Sequence, residues 1–262
     1  MTPVSEAIRA VLLTGEAREK VMATRALVRA WRRGELAWDF AVAMPDRPAW
    51  PAGLQLLPAN RMPKRGRGGS RRNAAALWHS LAHIEFVAID LALDMAGRFG
   101  GSMDRAFVDD FLSIAADEAM HFALIDRRLR GYDSHYGALP VHDWLWQAAE
   151  ETRHDVAARL AVVPMVLEAR GLDVTPGIRD RVLALGDEAG ARILQRILDD
   201  EIRHVAAGTK HFAAVCAKNG KLPVNHWKQL VDAHFRGGLK PPFNDSARLA
   251  AGLSREYYAA VA

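Results

Sequence analysis

A chain of 262 residues, half of them apolar, can bury a full core, and its 35 Lys and Arg against 31 Asp and Glu leave a net charge of +4. That mild, interspersed basicity makes no case for nucleic-acid binding by itself, and the single cysteine, Cys216, excludes an intrachain disulfide and any cysteine-rich metal cluster within one chain. Glu6 and Arg9 interrupt the apolar run that a signal peptide needs, and no later stretch of 18 apolar residues follows, so a soluble cytoplasmic protein with no membrane partner is expected.

Pro3 and Ser5 open a short helical pattern that Gly15 closes, and residues 16–33 read as a second helix with Val21, Ala23, Leu27, Val28 and Trp31 on its apolar side. From 34 to 70 regularity fails: Pro45, Pro48, Pro51, Pro58 and Pro63 remove backbone donors and predict extended chain that wraps another surface. This stretch ends in a basic run of Arg61, Lys64, Arg65, Arg67, Arg71 and Arg72, read as a solvated linker that could also meet a phosphate or an RNA backbone. Four long amphipathic segments follow, at 73–98, 104–129, 141–170 and 187–218, with Gly171 expected to end the third and a short helix after Pro176 to lead into the fourth. Helical patterns recur at 226–235 and 247–260. The chain therefore divides into N-terminal helices and wrap (1–72), a four-helix bundle (73–218) and a helical tail (219–262), an all-α fold.

Two segments carry Glu-x-x-His, in DEAMH with Glu118 and His121 and in DEIRH with Glu201 and His204. On a helix, i and i+3 lie about 5–6 Å apart on one face, so each pair can offer a carboxylate and an imidazole to one ion. A third instance, Glu151 with His154, shows how cheaply the pattern arises; it should not ligate, because Glu151 stands 17 residues and nearly five turns from Glu168. Spacing carries more weight. Glu85 precedes Glu118 by 33 residues and Glu168 precedes Glu201 by the same 33, so one ligand spacing occurs twice. The midpoint of the first pair falls beside Gly101, where antiparallel helices would hold Glu85 and Glu118 level. Four carboxylates and two imidazoles balance two divalent ions, and buried among apolar neighbours such as Ile84, Phe86, Ile114, Phe122, Val166, Leu167, Ile197 and Val205 they would be costly without them.

This set of Glu85, Glu118, His121, Glu168, Glu201 and His204 resembles the ligand pattern of the ferritin-like di-iron carboxylate superfamily. Stretches such as LAHIEFVAIDLALD, DEAMHF, LEARGLDVTPG and DDEIRHVAAG are similar to its uncharacterised bacterial branch, domain of unknown function 455, over residues 55–252 including the PPFN turn. The resemblance implies a ferritin-like bundle holding two iron ions, with manganese as an alternative at either site. It also implies an oxygen-activating oxidoreductase (a hydroxylase, desaturase or oxidase) acting on a small or carrier-bound substrate with dioxygen and a reductase. RNA is a further conceivable substrate, and a non-catalytic iron-handling protein is the alternative. A monomer or homodimer is expected. In similar Asp-Glu-x-x-His sites the aspartate orients a histidine of the opposite helix, which implies Asp117 toward His204 and Asp200 toward His121, with Arg203 paired to Asp117. His79, His83 and His154 lack the paired spacing and read as satisfied structural histidines; Trp78, Phe86, Phe122 and Met165 read as packing.

Overall fold

The computed structural model describes residues 1–62 and 70–259, so Lys64, Arg65 and Arg67 of the basic run lie outside the described residues. Among the described residues the fold is all-α apart from two-residue parallel strands, β1 (Thr2–Pro3) and β2 (Leu36–Ala37), and an isolated bridge between Leu56 and Val141. The chain forms two compact units, Met1–Trp146 and Gln147–Ala262.

In the first unit α1 (Val4–Leu12) and α2 (Ala17–Arg32) precede the wrap, and α3 (Arg71–Phe99) and α4 (Arg105–Arg130) form a long antiparallel hairpin. Ser70 and Asp104 start these helices by accepting hydrogen bonds from the Asn73 and Phe107 amides at 3.3 and 2.9 Å, satisfying donors that helix starts leave open. Between them Gly100 and Gly101 pass directly beneath the Phe40 ring, where a Cβ at position 100 would stand 2.5 Å from it, so only glycine lets the wrap close over this turn. The wrap is tied down as extended chain should be. The Ala49 amide donates to the Leu12 carbonyl at 2.8 Å, and Lys20 reaches the Ala49 carbonyl at 2.9 Å. α3 belongs to a stretch, Arg71–Ser102, long and apolar enough to cross a membrane, but 67% of its apolar window is buried inside the protein, the mark of a core helix.

The second unit corrects several expectations. Segment 141–170 is not one helix: α5 (Trp144–Glu151), which begins in the first unit, ends before a break, and Asp155 starts α6 (Val156–Val162) by accepting from the Ala157 amide at 2.7 Å. A π turn, Val163–Glu168, then leads into α7 (Ala169–Ala184), which runs through both Gly171 and Pro176. Pro164 lacks an amide proton and its ring crowds the carbonyl four residues back, which widens the helix there. Gly208 of α8 (Glu188–Lys218) makes the room, since a Cβ at 208 would meet the Pro164 ring at 2.4 Å. Pro176 does not end α7 because the carbonyl it leaves open, Leu172 O, accepts a hydrogen bond from Asn244 Nδ2 at 3.1 Å. The midpoint between Glu168 and Glu201 falls where α7 ends and the 185–187 turn begins, so both glutamates lie on one α7–α8 hairpin. The tail forms α9 (Pro223–His234), α10 (Asp245–Ala250) and α11 (Arg255–Tyr258), two short helices where one was expected at 247–260, split by Gly252 at φ 75°.

Candidate metal centre

On α3 and α4 three ligand-type side chains converge. One donor atom each from Glu85, Glu118 and His121 lie within 4.8 Å of one another, with His121 Nδ1 3.4 Å from Glu85 and 3.3 Å from Glu118. All three are buried, at 5, 1 and 0% exposure, as the shared 33-residue spacing about the Gly100–Gly101 turn requires. Burial lifts Glu85 well above the ordinary carboxylate range, and the charge of Glu118 adds to the effect while the His121 hydrogen bond opposes it. Burial also opposes a charge on His121, but hydrogen bonds to Glu118 and Glu85 outweigh it and raise the imidazole. Two carboxylates closing on one imidazole in a buried spot form a place that calls for positive charge. Their hard oxygen and imidazole nitrogen donors could hold a metal ion.

The second unit carries the corresponding residues. Glu201 and His204, on α8, are buried, with Glu201 Oε1 3.6 Å from His204 Nδ1. The Glu201 side chain passes Gly171 of α7 at the distance of an ordinary contact, 4.0 Å from where a Cβ would stand. Glu168 is half-buried as the last residue of the π turn. Of the apolar neighbours, Phe86, Ile114, Phe122, Val166, Ile197 and Val205 are buried, whereas Ile84 is 42% exposed because its side of α3 faces outward.

Asp117 is half-buried and Asp200 buried. Asp200 accepts from Arg196 at 2.6 Å and from Arg203, both on its own helix. Glu151 and His154 are exposed and do not share a helix, since α5 ends at Glu151. The break at 152–155 separates them from the helical segment that carries Glu168, where one continuous helix was expected. His79 and His83 are satisfied. His79 Nε2 accepts from the Gly137 and Leu139 amides at 3.0 and 3.3 Å, and burial pushes it down to about 4. His83 lies 2.9 Å from both the Tyr136 hydroxyl and the His142 carbonyl.

Three features went unread in the sequence. Pro164, a proline within a helical pattern, was the available signal for the π turn. Lys20, which the sequence analysis does not single out, is fully buried and pairs with Asp90 at 2.5 Å. Tyr136 sits in a stretch read only as a helix break, yet its ring packs on Phe86 and Phe122 with centroids 5.1 and 5.3 Å away.

An uncharacterized protein of Haemophilus influenzae is 37% identical over 223 residues, covering 83% of this chain and 75% of the relative. No solved structure matches the chain. The family described as "Protein of unknown function (DUF455)" matches residues 13–259, so that the match takes in α2 and the wrap as well as the 55–252 region that carried the resemblance, and the chain belongs to this family.

Proposed function

We propose that the chain is a ferritin-like di-metal carboxylate protein, an oxygen-activating oxidoreductase in which Glu85, Glu118, His121, Glu168, Glu201 and His204 hold two ions, iron by preference. The observation that carries this reading is the buried convergence of Glu85, Glu118 and His121 about a helical turn, with the same residue types at the same 33-residue spacing about the 185–187 turn. Buried ionised carboxylates are costly without cations, and this donor set supplies four negative charges for two divalent ions. When bound, the reduced metal pair would supply the electrons for dioxygen activation. The protein's share is to hold the ligands, shape the pocket and exclude water. Asp200, gripped by Arg196 and Arg203, is fixed as an outer carboxylate able to orient a ligand histidine.

Anaerobic loading with ferrous iron followed by metal analysis tests the reading: two ions per chain are expected, with loss of binding in Glu118→Ala and in Glu201→Ala. Oxygen uptake by the reduced, loaded protein then separates catalysis from iron handling. A cage-sized particle that stores iron without consuming a co-substrate would favour the non-catalytic alternative, and a chain that binds neither iron nor manganese would end both.

A further inference from the structure

Charges that are interspersed along the chain are sorted by the fold at α2. This helix packs Val21, Leu27, Val28 and Trp31 inward, and Arg18, Arg25, Arg29, Arg32 and Arg33 are all exposed. At about 100° per residue these five arginines fall within an arc of about 100° on the outer side of the helix. Glu16 and Glu19 stand off that arc, and no acid precedes any of the five by four residues, the spacing that would neutralise them. Arg25, Arg29 and Arg33 are instead four apart from one another, so like charges repel along the helix. Arg33 approaches Glu35 at 3.8 Å, whereas Arg18, Arg25 and Arg29 meet no carboxylate among the described residues.

Rings adjoin the C-terminal end of this stripe. Trp38 rests on Trp31 at 6.0 Å and meets Phe40 edge-on at 5.0 Å and 75°, yet it is 44% exposed, an indole held in place with part of its surface open. Trp31 also lines a groove of about 440 Å³ between α2 and α4. There its Nε1–H donates to Asp109 at 2.7 Å, and the Arg105 guanidinium lies over its ring at 4.6 Å. Arg32 donates to Ser113 Oγ at 3.2 Å across the same groove, whose acids are Asp109 and Asp110.

We propose that the outer face of α2 binds single-stranded nucleic acid, its arginines meeting successive phosphates and Trp38 stacking an unpaired base. From Arg18 to Arg32 the helix rises about 21 Å, enough to follow several phosphates of one strand. Guanidinium forks match phosphate oxygens in pairs, and an exposed ring accepts any base by its π face, the combination that holds single strands without reading their sequence. A duplex keeps its bases stacked inside and offers Trp38 nothing. An anionic membrane fits less well, because the apolar side of α2 is used in the core and Met22 is the one large apolar side chain on its outer face. None of these residues belongs to the proposed ligand set, so binding should not depend on metal.

Fluorescence anisotropy of the full-length protein with short labelled oligouridine and oligothymidine, across a salt series, tests this. Either strand should bind, the tighter of the two identifying RNA or DNA as the source. Log affinity should fall against log salt with a slope of about −3, as for Arg18, Arg25, Arg29 and Arg32 neutralising four phosphates at about 0.7 each. Arg25→Ala combined with Arg29→Ala should flatten that slope by about 1.4 and cost roughly tenfold or more at low salt, while lysine at both positions should keep the slope. Trp38→Ala should weaken binding about tenfold or more at every salt concentration with the slope unchanged, and Trp38→Phe, which keeps a ring, should recover most of the loss. Arg127→Ala with Arg130→Ala, at the other end of α4, should leave affinity as it is. An equal loss there would reduce the binding to bulk charge and overturn the proposal. So would the absence of binding to either strand, a slope that the α2 substitutions leave alone, or equal affinity for a duplex of the same length. Sedimentation with phosphatidylserine vesicles in preference to the oligonucleotides would also overturn it, in favour of a membrane surface.

Discussion

At the level of single residues, the burial of polar groups gives measurable consequences. His79 accepts two amide hydrogen bonds at Nε2, which a protonated imidazole cannot do, and it is held neutral down to about 4 against an ordinary value of 6.5. Its folded value is depressed, so its contribution to stability is present above 6.5 and is lost as pH falls from there toward 4, where the unfolded chain takes up a proton that the folded one refuses. Thermal unfolding followed from pH 7 to 4.5 should show a descent that is shallower in His79→Gln; equal slopes would remove His79 as a cause. Asp173 forms a two-point pair with Arg248, Oδ1 to Nε at 2.8 Å and Oδ2 to Nη2 at 2.7 Å, and both side chains are buried. Asp173→Ala strands that guanidinium, and urea unfolding should show a loss of about 3–5 kcal/mol. A loss below about 1 kcal/mol would mean that the arginine finds water or another acceptor.

At the level of elements, α7 survives Pro176 because another element supplies the hydrogen bond that the proline removes. Pro176→Ala would restore an amide to the Leu172 carbonyl, the acceptor that Asn244 Nδ2 now serves. Asn244→Ala should therefore cost about 1–2 kcal/mol less in the Pro176→Ala background than in the wild type. A double-mutant cycle by chemical denaturation measures that difference, and strict additivity would show the two sites to be independent. This cap explains why the sequence misleads at Pro176. Local signals said stop, and the partner that overrides them lies some 70 residues away in a turn with no periodicity of its own. The first hairpin was legible because Gly100 and Gly101 mark its turn and the ligand spacing centres on it. Glu85, Glu118 and His121 were likewise legible because a 33-residue spacing about a turn is a local rule. Lys20 and Tyr136 were not, because nothing local separates a buried, paired lysine from a solvated one or a packed tyrosine from a loop tyrosine.

At the level of the whole molecule, a bound metal should act as a ligand of the native state alone. Free ferrous or manganous ion at about 100 times its dissociation constant should raise stability by about 2.7 kcal/mol for each site it fills. Anaerobic thermal melts with and without the ion check this, and the gain should shrink in His121→Ala. An equal gain in that variant would place the ion elsewhere. The burial of α3 has a further consequence, which concerns synthesis. α3 is apolar enough to pass for a membrane span, so a nascent chain from which α3 has emerged ahead of α4 would present a surface that chaperones and insertion machinery recognise. Order of emergence answers part of that hazard: α1 and the wrap leave the ribosome first and already pack on α3, and α4 follows about thirty residues later to cover another face. Ribosome-bound chains halted once α3 but not α4 has left the exit tunnel should therefore recruit chaperones, whereas chains halted after α4 has emerged should release them.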